Sequence, residues 1–172
     1  GGPGGSTTAM VMARAGFKVC LLEKDQHPRF HIGESILPRT AGILQELGLE
    51  DELKKLPHLP KYGAEFGMGN DRKTMSFRFA DGLLPGAPIF NIERSHLDKM
   101  LIDQARKSGV EVHENTLDRK ISKLEENHVE VATADRTISA RILMDASGHG
   151  TVVGRQPSDD DYDPDMLKSV VS

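Results

Sequence analysis

Gly1-Gly2-Pro3-Gly4-Gly5-Ser6 opens the chain and decides its reading, because a helix and then a strand come directly after it. A helix-compatible run covers residues 8–15, Gly16 stops it, and an apolar run over residues 17–22 ends on Glu23. Glycine turn, helix and strand in that order make half of a βαβ unit, whose first strand is expected before Gly1. With a glycine ahead of Gly1, Gly2 and Gly5 take the second and third positions of a GxGxxG fingerprint. The demand for glycine is physical: backbone N–H groups at a helix start must come close to a pyrophosphate, which a Cβ obstructs, and the helix dipole favours the anion. Glu23 stands 18 residues after Gly5 at a strand end, where a carboxylate accepts hydrogen bonds from an adenosine ribose. An acid there favours a free 2′-hydroxyl, so FAD or NAD is expected over NADP. Gly2, Pro3, Gly4, Gly5, Ser6, Glu23 and its neighbour Lys24 are the candidate dinucleotide contacts.

Outward from this start, residues 37–47 read as a second helix, with Ser35 as its cap, Pro38 in its first turn and Gly48 at its end. Ser95 and Asp98 resemble a capping box, and Leu97, Met100, Leu101 and Ala105 form the apolar stripe of a third helix closed by Gly109. Beyond it the period changes to two. Val129 and Val131, then Ile138, Ala140 and Ile142, alternate with polar residues, with breaks at Glu126-Asn127 and Ala134-Asp135. A three-stranded antiparallel meander over residues 119–144 is expected, its last strand running into Asp145-Ala146-Ser147-Gly148.

The composition sets bounds. A chain of 172 residues, 37% hydrophobic and 28% charged, is one ordinary globular domain. Its apolar runs are far shorter than the roughly 20 residues of a membrane-spanning helix, so no membrane is expected. A net charge of −4 without a basic stripe argues against nucleic acid. The single cysteine, Cys20, excludes a disulfide scaffold; its apolar run predicts a packed thiol and a reducing, cytoplasmic setting. The five aspartates within residues 158–165 read as a solvated loop, lacking the Gly and Glu of a calcium-binding loop. The chain begins on glycine, without an initiator Met or signal peptide, which reads as a cut start.

His27-Pro28-Arg29-Phe30-His31-Ile32-Gly33-Glu34-Ser35-Ile36-Leu37-Pro38 resembles a segment of the flavin-dependent halogenases. The resemblance continues through Lys61-Tyr62-Gly63-Ala64-Glu65-Phe66, through Asn91-Ile92-Glu93-Arg94-Ser95-His96-Leu97-Asp98 and into Asp145-Ala146-Ser147-Gly148-His149, and so reaches about Gln156. It implies an α/β, Rossmann-like FAD-binding domain with an antiparallel β meander, truncated, with its first strand and C-terminal half missing. Residues 1–156 would be the partial FAD domain, 57–92 the start of its substrate side, and 157–172 an acidic loop opening the next portion. The same resemblance implies that Gly33, Glu34 and Ser35 lie in a strap lining the flavin, that Arg94 reaches the FAD phosphate or ribityl chain, and that Asp145 and Gly148 close on the cofactor. Lys61 resembles the lysine that takes hypohalous acid, made by way of a flavin hydroperoxide, to an electron-rich ring. A desolvated amine can be chlorinated or can polarise HOCl by hydrogen bonding. Halide, O₂, a small electron-rich substrate and a separate flavin reductase are the implied partners.

Each of these residues also has a plainer reading. Lys61 after Pro60 can be a surface lysine, Arg94 an exposed residue before a helix, and Glu34 a partner of Arg39. His27 and His31 are not read as a metal pair, since Pro28 between them opposes the helix that would align them. Ser35 lacks the second glycine of a nucleophile elbow. Without the family's Trp-containing signature and second glycine-aspartate segment these residues alone are expected to be inactive, and without the strand ahead of Gly1, whose neighbours would be left uncovered, they are expected to be unstable and to bind FAD poorly. Two alternatives stand beside the halogenase reading: an FAD monooxygenase or prenyl-reductase-like flavoprotein, and a nucleotide-binding interaction module without redox chemistry.

Overall fold

A computed structural model describes residues 1–69, 73–81, 90–117 and 120–154. The aspartate-rich loop, the expected boundary at residue 156, residue 119 and parts of the segment 57–92 lie outside the described residues. In chain order the elements are α1 (Pro3–Arg14), β1 (Cys20–Leu22), β2 (Ser35–Ile36), α2 (Pro38–Glu46), α3 (Glu50–Lys55), β3 (His58–Pro60), β4 (Gly63–Met68) and β5 (Lys73–Arg78). After these come β6 (Phe90–Ile92), α4 (Arg94–Lys107), β7 (Glu111–His113), β8 (Lys120–Glu125), β9 (His128–Ala132) and β10 (Thr137–Ala140). They fall into two units, one of residues 1–26 with those from 101 onward, the other of residues 27–100. Among the described residues no helix is long and apolar enough to cross a membrane.

In the first unit β1 and β7 run parallel, Cys20 opposite Glu111 and Leu22 opposite His113. The Glu23 amide extends the ladder by donating to the His113 carbonyl at 2.8 Å. Ala9 and Met10 of α1, Leu21 of β1, and Leu101, Ile102 and Ala105 of α4 are buried. These are the 3.6-period and 2-period positions that helix and strand geometry turn inward. The meander forms as expected, with β9 central between β8 and β10 and Val129 and Val131 buried. Asn127 turns its first hairpin at φ 59°, a conformation asparagine tolerates.

Four expectations in this unit are corrected. The helix begins at Pro3, ahead of the helix-compatible run 8–15, because proline suits the first helical position, where no intrahelical N–H is needed. Of the apolar run 17–22 only residues 20–22 form strand, and β10 ends at Ala140, leaving residues 142–147 outside any strand. Apolar alternation makes strand only where a neighbouring strand accepts the backbone hydrogen bonds, and none of the described strands pairs with residues 142–147. Cys20 is exposed instead of packed, since the strand's alternation turns Leu21 inward and Cys20 to the opposite face.

The second unit holds a three-stranded antiparallel sheet in the order β2-β6-β3 and the β4-β5 hairpin. Ile36, Ala41, Leu44, Leu49, Leu53, Ile92, Leu97 and Met100 are its buried apolar side chains. Pro38 starts α2 as expected, but the cap position belongs to Leu37, with no side-chain hydrogen bond, so Ser35 is not a helix cap. Its hydroxyl is engaged across the sheet instead.

Desolvation by its neighbours, and then the Glu111 carboxylate across the ladder, push the Cys20 thiol up, against a smaller downward pull from Arg136. Alkylation of Cys20 by iodoacetamide should therefore reach half its limiting rate at a pH above that of free cysteine, about 8.5. Glu111→Gln should move that midpoint down, measured from the rate of adduct formation across a pH series.

Candidate functional site

In the first unit the glycine segment is itself the first turn of α1. Gly2 is the extended cap residue, at φ −74° and ψ −178°, and no side chain caps the helix start. Pro3 brings no N–H, so the amides of Gly4 and Gly5 are the first donors at the positive end of the helix dipole. The Ser6 amide donates to the Gly2 carbonyl at 2.9 Å. Its buried hydroxyl donates to the Gly1 carbonyl at 3.1 Å. A Cβ built on Gly5 would stand 3.3 Å from the Cβ of Ala146, tighter than ordinary packing, which matches the third glycine of a dinucleotide turn, required for close approach of helix and neighbouring chain.

Glu23 is buried at the end of β1 beside this turn. Its Oε2 lies 2.8 Å from the Gly1 nitrogen, and its Oε1 accepts the Asp25 amide at 2.9 Å. A carboxylate at a strand end beside a helix start is the group that accepts a ribose hydroxyl in a dinucleotide turn. Lys24 is exposed, 3.9 Å from the Asp25 carboxylate. Asp145 organises the loop behind Gly5: its two oxygens accept the amides of Ser147 and Val153, each at 2.9 Å. Gly148, at φ 61°, opens the short turn Gly148–Gly150. The structure thus brings Gly1, Gly5, Ser6 and Glu23 together, with the Asp145 loop against Gly5. An uncapped helix start, a cradle that a side chain would fill and a carboxylate beside it fit the pyrophosphate and ribose of FAD.

In the second unit residues 30–35 and Asn91 line an open groove of about 490 Å³. Ser35 on β2 faces Asn91 on β6 in the sheet register, and its hydroxyl donates to the Asn91 Oδ1 at 3.0 Å. Lys61, just past β3 and half-buried, donates from Nζ to the Ser35 Oγ at 2.7 Å. Glu34 is exposed, while its carbonyl accepts the Ile92 amide at 2.9 Å. The alternative Glu34–Arg39 pair is not formed, since Arg39 faces Glu46 at 3.7 Å.

Arg94 heads α4 and grips Asp98 with both sides of its fork, at 2.8 and 2.9 Å. Its Nη1 donates to the Ile32 carbonyl at 3.1 Å. The capping-box reading of Asp98 is corrected: its carboxylate is fully buried against Arg94 and Arg29. Asn91 and Asp98 are residues that sequence reasoning missed as site members. The i, i+4 spacing of Arg94 and Asp98 on one helix face was the available signal for the second; for Asn91 none existed before the strand register was known. Among the described residues no group of three or more His, Cys, Asp or Glu side chains is placed to hold a metal ion.

Gly33 adopts φ 107°, and a Cβ there would also lie 3.3 Å from the Arg94 Nη1. Gly33→Ala should therefore lower the unfolding free energy by about 1–3 kcal/mol, measured by denaturant titration, whereas Gly42→Ala, in open helical space, should not.

Comparison with known proteins agrees with this geometry. The chain is 38% identical over 162 residues to the flavin-dependent halogenase armH3 of Armillaria mellea, covering 89% of this chain and 32% of that protein. The solved structure of CmlS, a flavin-dependent halogenase, superposes with a TM-score of 0.78 at 30% identity, over 90% of this chain and 29% of that one. A flavoprotein/dehydrogenase from Cytophaga hutchinsonii superposes with a TM-score of 0.74 at 34% identity, over 92% of this chain and 41% of that one. The chain spans about a third of the length of the curated halogenases it matches. The model of the FAD binding domain family matches residues 1–158, nearly the whole sequence, and the chain belongs to that family.

Proposed function

We propose that the protein containing this chain is an FAD-dependent halogenase that transfers an electrophilic halogen to a small electron-rich substrate. The Lys61 amine held on Ser35 beside the groove, in a segment similar to halogenases, carries the reading. FAD, when bound and reduced by a separate reductase, supplies the reaction with O₂ that turns halide into hypohalous acid. The chain's own residues bind and orient. The Gly4 and Gly5 amides and the α1 dipole take the pyrophosphate, and Glu23 accepts a ribose hydroxyl. Ser35, whose own proton goes to Asn91, presents a lone pair to Lys61 and fixes the position of Nζ. From there Nζ donates a hydrogen bond to the oxygen of hypohalous acid and polarises the oxygen–halogen bond as the ring carbon attacks the halogen. The ring then loses a proton and water leaves.

A second reading is favoured by the match to the flavoprotein/dehydrogenase, at 34% identity. Here the same FAD domain serves chemistry without halide, and Lys61 only braces Ser35. The full-length protein, assayed with a flavin reductase, decides between them. Halide-dependent product should form, and Lys61→Ala should lower its rate by about 10²- to 10⁴-fold with the FAD content unchanged. Product without halide, or unaltered halogenation in the variant, favours the second reading.

A further inference from the structure

Asp98 has 0% exposure. Burying a carboxylate is costly unless cations and hydrogen bonds compensate it, and two guanidinium groups do so. Arg94, one turn earlier on α4, holds it with a two-pronged pair of hydrogen bonds, and the Nη1 of Arg29 lies 3.5 Å from the Asp98 Oδ2. A forked arginine–carboxylate pair fixes the guanidinium plane as a lysine ammonium cannot. The end of Arg94 turned away from Asp98 meets the strap. Its Nη1 donates to the Ile32 carbonyl at 3.1 Å and lies 3.2 Å from the His31 Nδ1. At the next residue, Gly33, a Cβ would stand 3.3 Å from the same nitrogen, tighter than ordinary packing.

We propose that Asp98 is a positioning residue of the flavin site: by fixing Arg94 it sets the backbone path of residues 31–33, which form one wall of the groove. The inference rests on the FAD reading of that groove and adds to it a residue that touches no cofactor. Gly33, at φ 107°, belongs to a backbone region that glycine enters and leaves readily, so the strap gets its order from the guanidinium and not from its own torsions. Arg94 then serves the groove through the strap backbone, with the Asp98 carboxylate setting the direction of its fork.

The test uses the full-length protein and two variants. Asp98→Asn keeps the shape and removes the charge; Arg94→Lys keeps the charge and removes the fork, and serves if Asp98→Asn does not fold. Hydrogen exchange of the cofactor-free protein reads the strap at the Ile92 amide, which donates to the Glu34 carbonyl. Exchange there should quicken at least tenfold in either variant, while peptides of the β8-β9-β10 meander keep their rates. The FAD dissociation constant should rise at least tenfold, and the visible absorbance band of the remaining bound flavin should shift. A wild-type rate at that amide would overturn the proposal, even with FAD affinity lost, because that combination means Arg94 acts on the cofactor by contact. Strap exchange that quickens only together with the meander would overturn it too, as loss of general stability. Failure of wild-type protein to bind FAD would sink the flavin reading and leave the exchange result legible by itself.

Discussion

A carboxylate without access to water constrains everything packed around it. Arg94 and Arg29 lie against the buried Asp98 carboxylate, and removing one partner from such a cluster costs on the order of 3–5 kcal/mol. Burial of Leu97, Met100 and Leu101 on the same helix holds the carboxylate in place, and the fork of Arg94 passes that fixed geometry on to the Ile32 carbonyl. The groove walls, and the sheet that sets Ser35 against Asn91 and Lys61, belong to this second unit. An apolar substitution of Asp98 would strand both guanidinium groups. The cluster therefore specifies one arrangement of the strap more than it adds to stability.

The other half of the chemistry depends on missing side chains. At α1 the helix begins inside the glycine segment, so the donors offered to an anion are amides of the helix itself, aligned with its dipole. Gly5 leaves room for Ala146, and the Asp145 carboxylate holds that loop in shape through two amides. Glu23 closes the arrangement from the strand end. All of these residues lie within the stretch that the FAD binding domain family model matches.

How much of this the sequence disclosed depended on how local the cause was. The glycine turn, the strand ending on Glu23, the helices begun by Pro38 and closed by Gly109, and the meander were legible because each arises from residues within a few positions of one another. Long-range partners were not. Ser35 reads as a helix cap until β2, β3 and β6 pair, and its partners Asn91 and Lys61 are 56 and 26 residues away. Asp98 three residues after Ser95 imitates a capping box, while its burial comes from tertiary packing that no local pattern encodes. Residues 142–144 continue the apolar run of a strand without a paired neighbour among the described residues, and Cys20 sits on the outward side of a strand whose apolar run suggested burial on both.

On the proposed reading the α1 turn and Glu23 bind the adenosine diphosphate half of FAD. Equilibrium titration of the full-length protein with FAD and with FMN, followed by flavin fluorescence, tests it most directly, because FMN carries the same ring without that half. FAD should bind at least about 100-fold more tightly, a difference of roughly 2.8 kcal/mol, and equal affinity for the two flavins would contradict the claim.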